Sequence, residues 1–127
     1  MPDNIERIRE FCDVWSSLDA DRIVAFMTED CFYHNIPIAP VTGHAAIRAF
    51  LSEFLKMADA CEFVVHAIGE TADGAVMTER VDRFRANGQW IDLRVMGIFE
   101  LRDGLISSWR DYYDQAEMER QLAQVVA

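Results

Sequence analysis

The chain has 127 residues, 51% of them hydrophobic and 11% aromatic, and a formal net charge of -10 at pH 7. That length supports one core rather than two, so a single domain over residues 1–127 is expected, and the apolar share argues against intrinsic disorder. The negative field, with no local Lys/Arg cluster to break it, repels phosphate backbones and anionic lipid surfaces and speaks against nucleic acid or a membrane as partner.

The N-terminus, MPDNIERIRE from Met1 to Glu10, spreads its charges and has no apolar h-region, and no window reaches the roughly 18 apolar residues that span a bilayer. A cytoplasmic protein is therefore expected. From Asn4 to Trp15 the residues Ile5, Ile8, Phe11, Cys12 and Trp15 recur at three and four, which predicts a first helix with one buried face. Asp19 or Asp21 can cap a second, short helix carrying Ile23, Val24, Phe26 and Met27. Cys31 to Ile36 is rich in β-prone residues and predicts a short strand, stopped by Pro37 and Pro40. After Gly43, the set Ile47, Phe50, Leu51, Phe54, Leu55 and Ala58 predicts a third helix running to about Asp59.

The period then changes. Cys61 to Ile68, Ala75 to Phe84, Gln89 to Leu101 and Leu105 to Tyr113 read as strands, separated by the Gly-ended turns Ala72-Asp73-Gly74, Ala86-Asn87-Gly88 and Arg102-Asp103-Gly104. Helices followed by a meander of long antiparallel strands predict an α+β domain whose curved, mostly antiparallel sheet wraps the N-terminal helices into a cone with an internal pocket. Glu117, Glu119 and Arg120 read as the solvated face of a C-terminal helix. Cys12, Cys31 and Cys61, odd in number and widely spaced, fit neither a disulfide framework nor a metal knuckle, and free buried thiols are expected.

Strand alternation selects candidates for the pocket. Arg80 and Asp82 share a face with Val76 and Phe84, Asp111 shares one with Trp109 and Tyr113, and Tyr33 shares one with Asn35. Spacing alone favours reading Arg80 and Asp82 as an outer-face ion pair in solvent, Asp111 as a strand-end residue, and Tyr33 and Asn35 as a strand end entering a turn.

The segments Tyr33-His34-Asn35-Ile36-Pro37, Thr78-Glu79-Arg80-Val81-Asp82-Arg83-Phe84, Gly97-Ile98-Phe99-Glu100-Leu101 and Trp109-Arg110-Asp111-Tyr112-Tyr113-Asp114 closely resemble the limonene-1,2-epoxide hydrolase family, within the nuclear-transport-factor-2-like (SnoaL-like) superfamily. The likeness extends over nearly the whole chain in order and spacing. It implies an epoxide hydrolase with no metal and no cofactor, a small apolar epoxide as substrate, and a homodimer covering a sheet face rich in Ile and Phe. It further implies that Asp111, Tyr33 and Asn35 surround the nucleophilic water, that Asp82 is the acid, and that Arg80 lies between the two aspartates.

The chemistry suits those residue types. An epoxide opens when its oxygen receives a proton while a nucleophile attacks carbon from the far side, so an acid and a base must work in opposite protonation states. An arginine stabilises the ionised carboxylate, here Asp111, and an apolar wall favours the neutral form of Asp82. Phe54, Phe84, Leu93, Val95 and Tyr113 are candidates for the substrate wall, with ordinary core packing the equal alternative. His34, His44 and His66 lack metal-site spacing, and no G-x-S-x-G, G-x-G-x-x-G or P-loop is present. Two other readings stay open: a ketosteroid-isomerase-like or polyketide-cyclase-like enzyme, against which Arg80 between two aspartates argues, and a non-catalytic small-molecule-binding module.

Overall fold

The computed structural model of the protein describes residues 3–126. Helix α1 spans Asn4–Val14, where the Asp3 carboxylate accepts the Glu6 N–H at 2.8 Å and so caps the first turn. Its buried face carries Ile8, Phe11 and Cys12, as the period required. Trp15 does not extend it: Trp15–Ser17 tightens into a 3-10 turn that ends at Leu18 in a left-handed conformation, with φ 55°. Asp19 accepts from the N–H groups of Asp21 and Arg22 and starts α2, Ala20–Val24.

Met27 departs from the helical expectation. It opens strand β1, Met27–Asn35, which begins four residues ahead of the predicted strand. The reason lies across the sheet, where the Ile106 N–H donates to the Phe26 carbonyl at 2.8 Å and Met27 pairs with Ile106, burying both side chains. A two-residue strand β2, Val41–Thr42, follows the prolines and pairs with Phe32 and Tyr33; its shortness left no period to read. Helix α3 spans His44–Met57 and buries Ile47 and Leu51.

The meander comprises β3 (Ala60–Glu70), β4 (Val76–Ala86), β5 (Gln89–Arg102) and β6 (Leu105–Tyr112), followed by α4 (Gln115–Val126). Asn87 and Gly88 have φ of 52° and 77°, and Asp103 and Gly104 have 53° and 79°. Two successive positive-φ residues form the tight turn whose twist matches the flanking strands. The six strands form one mixed sheet in the order β2-β1-β6-β5-β4-β3, antiparallel throughout except that β1 runs parallel to β6. First and last strands thus become neighbours at the sheet's middle, with Tyr33 beside Trp109 and Asn35 beside Asp111.

Helices α1 and α3 fill the inner face. Trp109 is fully buried at the centre, stacked on Tyr33 at 4.3 Å and on Phe99 at 5.4 Å, with Phe11 edge-on at 5.1 Å. Such aromatic pairs add about 0.5–1.5 kcal/mol beyond their buried area, and truncating a core aromatic to Ala typically costs ~3–5 kcal/mol. Among the described residues no helix is long and apolar enough to cross a membrane. Cys12, Cys31 and Cys61 are free and buried, and burial raises each thiol to about 12, so none is a ready nucleophile. His34 Nε2 lies 2.9 Å from the Ile38 carbonyl, a local tie, and His44 Nε2 lies 2.9 Å from the Met27 carbonyl, which ties α3 to β1.

Candidate active site

The inward face of β4 carries Val76, Thr78, Arg80, Asp82, Phe84 and Ala86 in strict alternation, all buried. Arg80 and Asp82 therefore do not form a pair in solvent. The Arg80 side chain has 0% exposure, and its two carboxylate partners retain only 12% at Asp82 and 4% at Asp111.

One guanidinium holds both aspartates. Arg80 donates from Nε to Asp82 Oδ1 at 2.9 Å and from Nη2 to Asp82 Oδ2 at 2.8 Å. Toward the other strand it donates from Nη2 to Asp111 Oδ2 at 2.9 Å and from Nη1 to Asp111 Oδ1 at 3.3 Å. Nη1 also reaches Thr78 Oγ1 at 3.0 Å, and Trp109 Nε1 donates to Asp111 Oδ1 at 2.7 Å. The planar fork allows two near-parallel pairs of bonds from one side chain, which a lysine ammonium cannot match.

Two carboxylates on one cation leave one negative charge uncompensated. Burial pushes the Asp111 carboxyl above its ordinary value; Arg80 opposes that rise, Asp82 adds to it, and the Trp109 N–H favours the ionised form. Burial works to lower the Arg80 pKa, but Asp111 and Asp82 outweigh it and hold it well above its ordinary value. The guanidinium stays charged. Burial, reinforced by the Asp111 charge, lifts Tyr33 well above its ordinary value against a hydrogen bond with Asn35, so the phenol keeps its proton.

A cavity of about 120 Å³ opens over this cluster. Tyr33, Asn35, Asp82 and Asp111 reach it, as do all five expected wall residues, Phe54, Phe84, Leu93, Val95 and Tyr113. Arg80 does not: it lies behind the carboxylates and touches them rather than the space. Sequence reasoning missed Trp15, Phe50, Leu51, Phe63 and Met118 as further lining, and Thr78 as an Arg80 partner. Trp15 and Leu51 carried a helical-face signal that reads the same for core and for cavity wall, whereas Thr78 carried a signal in its inward parity with Arg80.

The chain matches the limonene-1,2-epoxide hydrolase catalytic domain family over residues 2–124. It is 32% identical over 112 residues to epoxide hydrolase EphG of Mycobacterium tuberculosis, covering 87% of this chain and 73% of that protein. The solved structure of an M. tuberculosis LEH-like epoxide hydrolase superposes with a TM-score of 0.80 at 30% identity, covering 97% of this chain and 91% of the other. A protein of ketosteroid isomerase-like fold from Catenulispora acidiphila, solved in complex with trimethylamine, superposes with a TM-score of 0.80 at 18% identity, covering 91% of each chain, a likeness of fold alone.

Proposed function

This chain is an epoxide hydrolase of the limonene-1,2-epoxide hydrolase family, and from that premise we propose that it adds water to a small apolar epoxide in one step, through Asp111 and Asp82. The observation that supports the reading best is the single buried guanidinium binding both carboxylates at the wall of an apolar cavity.

In this reading a water sits among Asp111, Tyr33 and Asn35, which the parallel pairing of β1 with β6 brings side by side. Tyr33 and Asn35 fix the water's orientation, and Asp111 takes its proton as the oxygen attacks carbon. Asp82 gives a proton to the epoxide oxygen as the C–O bond breaks. One proton is taken and one given, so the pair resets when a proton passes from Asp111 back to Asp82. Arg80 holds the geometry and the charge balance without touching substrate. The lift that burial gives Asp111 strengthens it as a base, while Arg80 and Trp109 keep it available in ionised form. The cavity, close to the ~150 Å³ that holds a benzene ring in a dry core, suits a compact ring or aryl epoxide.

A homodimer is part of the proposal. The outward sheet face presents Met77, Met96 and Tyr112, each more than two-fifths exposed, where the sequence suggested Ile and Phe. A second copy would cover them, and sedimentation showing only monomer at micromolar concentration would remove this part.

Racemic cyclohexene oxide in heavy-oxygen water, in one turnover with enzyme in excess, tests the chemistry. Labelled trans-diol in the first turnover is expected. Unlabelled diol with label on the peptide containing Asp111 would mean that Asp111 itself attacks carbon, and no diol would end the reading altogether.

A further inference from the structure

We infer that Gly97, in the middle of β5, is a positioning residue: its missing side chain is what lets Arg80 cross from β4 to reach Asp111 on β6. The inference rests on the roles proposed above for Asp111 and Arg80.

Register supplies the first half of the argument. Gly97 pairs with Thr78 on β4 and with Asp111 on β6, and Asp111 pairs with Asn35 on β1, so these four residues form one row across the inner face. Arg80 is one step along, opposite Val95. Strands β4 and β6 are not neighbours; β5 separates them, which sets their backbones roughly 9.5 Å apart. An arginine that bonds across that gap must lie over whatever β5 presents.

Gly97 presents nothing. A Cβ built there would collide with Arg80 Nη1 and with Asp111 Oδ1, and would stand 3.3 Å from Thr78 Oγ1. Those two atoms are the ends of one of the hydrogen bonds that join the arginine to Asp111. The glycine is not required by its backbone, because its φ is not in the left-handed region that Gly43, Gly74, Gly88 and Gly104 occupy. A glycine inside a long strand weakens it through entropy and lost packing, and close approach of another group is the usual reason to find one. Thr78 completes the device. Its hydroxyl accepts from Arg80 Nη1 at 3.0 Å and donates to the Gly97 carbonyl at 3.4 Å, setting the guanidinium plane over the gap.

Gly69 is the built-in contrast. It also lies within a long strand, β3, but is exposed, and a Cβ there would meet nothing within 4 Å. Gly69→Ala should leave turnover and pH profile unchanged.

The titratable and charged groups around Asp111 are Arg80 and Asp82 from β4, Tyr33 from β1, Tyr113 just after β6 and Cys12 from α1. Of these only Arg80 is a cation, so separating it from Asp111 must make the carboxyl harder to ionise. The experiment reads two quantities in full-length protein: titration of the Asp111 carboxyl by carbon-13 NMR, and turnover of cyclohexene oxide against pH. In Gly97→Ala the NMR midpoint of Asp111 should rise by about one pH unit or more, kcat should fall about 10²-fold with KM within about two-fold, and the acid limb should move up with the midpoint. If that variant does not fold by circular dichroism, Thr78→Val decides, since it removes only the hydroxyl. It should raise the same midpoint and lower kcat about ten-fold, with Thr78→Ser restoring both. Folded Gly97→Ala, or Thr78→Val where Gly97→Ala is unfolded, with the parental Asp111 midpoint would overturn the inference, even if activity fell. Parental protein that makes no diol would instead overturn the proposed function, and the NMR midpoints would still decide the role of Gly97.

Discussion

Arg80 and Arg83 lie three residues apart on β4, on opposite faces, and each spans two carboxylates. Arg83 donates to Asp92 at 2.8 Å and to Glu62 at 3.2 Å, with its guanidinium 4.4 Å from the Trp90 ring centre. Its side chain is 34% exposed and both carboxylates are 56% exposed. By residue type and bond length the two arrangements are near copies. Water makes the difference: on the outer face solvent stabilises every charge with or without its partner, so the pairs contribute little. On the inner face each charge depends on the others, and removing one leaves the rest buried and uncompensated. The contrast shows that the face turned toward the core, rather than composition, separates a buried charge cluster from a solvated one.

The largest expected effect is on the carboxylates. Asp111→Asn and Asp82→Asn should each lower diol formation by ~10²–10⁴-fold with an unchanged circular dichroism spectrum. Asp92→Asn, their outer-face counterpart, should stay within about two-fold of parental turnover. Near-parental turnover in either inner variant would erase the contrast between the faces. The arginines come next. Arg80→Lys should lose about ten-fold to a hundred-fold, because a point charge cannot keep both forks, while Arg83→Lys should turn over normally. Removing the buried cation altogether, as Arg80→Leu, should lower stability to urea by about 3–5 kcal/mol, with no measurable change in Arg83→Leu. Equal midpoints in urea would mean that the inner cluster is solvated after all.

The smallest effect is on pH dependence. Since Asp111 is raised above its ordinary 3.8, loss of activity on acidification should set in above the ordinary carboxylate range. The sign for stability is opposite to that for activity. A raised folded value means the folded state holds this proton more tightly than the unfolded chain does. The contribution is thus fully present below the unfolded value and is lost as pH rises through the folded one. Urea midpoints of parental protein and Asp111→Asn should accordingly diverge as pH climbs out of the acid range, the parental falling relative to the variant; parallel curves would count against the raised value.

Much of this contrast is legible in the sequence. Alternation placed Arg80, Asp82 and Phe84 together on one face, and the Asn87-Gly88 and Asp103-Gly104 turns fixed the registers of β4, β5 and β6. The helical period found α1 and α3 to within a few residues. Which face was inner could not be read from parity, because β4 carries charges on both sides; the resemblance carried that step. The parallel pairing of β1 with β6 was also hidden, since no local signal reports which distant strand a segment will join. Met27 follows the helical period yet joins a strand for the same reason: its backbone partner, Ile106, is distant in sequence and leaves no local signal. The role of Gly97 needed the register of three strands together.

The β1–β6 pairing also sets a timetable. Tyr33 and Asn35 leave the ribosome well before the strand that gives them a neighbour. Everything between them, β2, α3 and strands β3 to β5, has to be gathered before the loop that joins them can close, and such long closures are what slow a fold. Refolding from urea should therefore recover the far-UV helical signal in a faster phase than hydrolytic activity; the two returning together would place the β1–β6 closure at the start of folding instead. A chain in which β6 has not yet docked leaves Tyr33 and Asn35 without the strand that sets them beside Trp109 and Asp111.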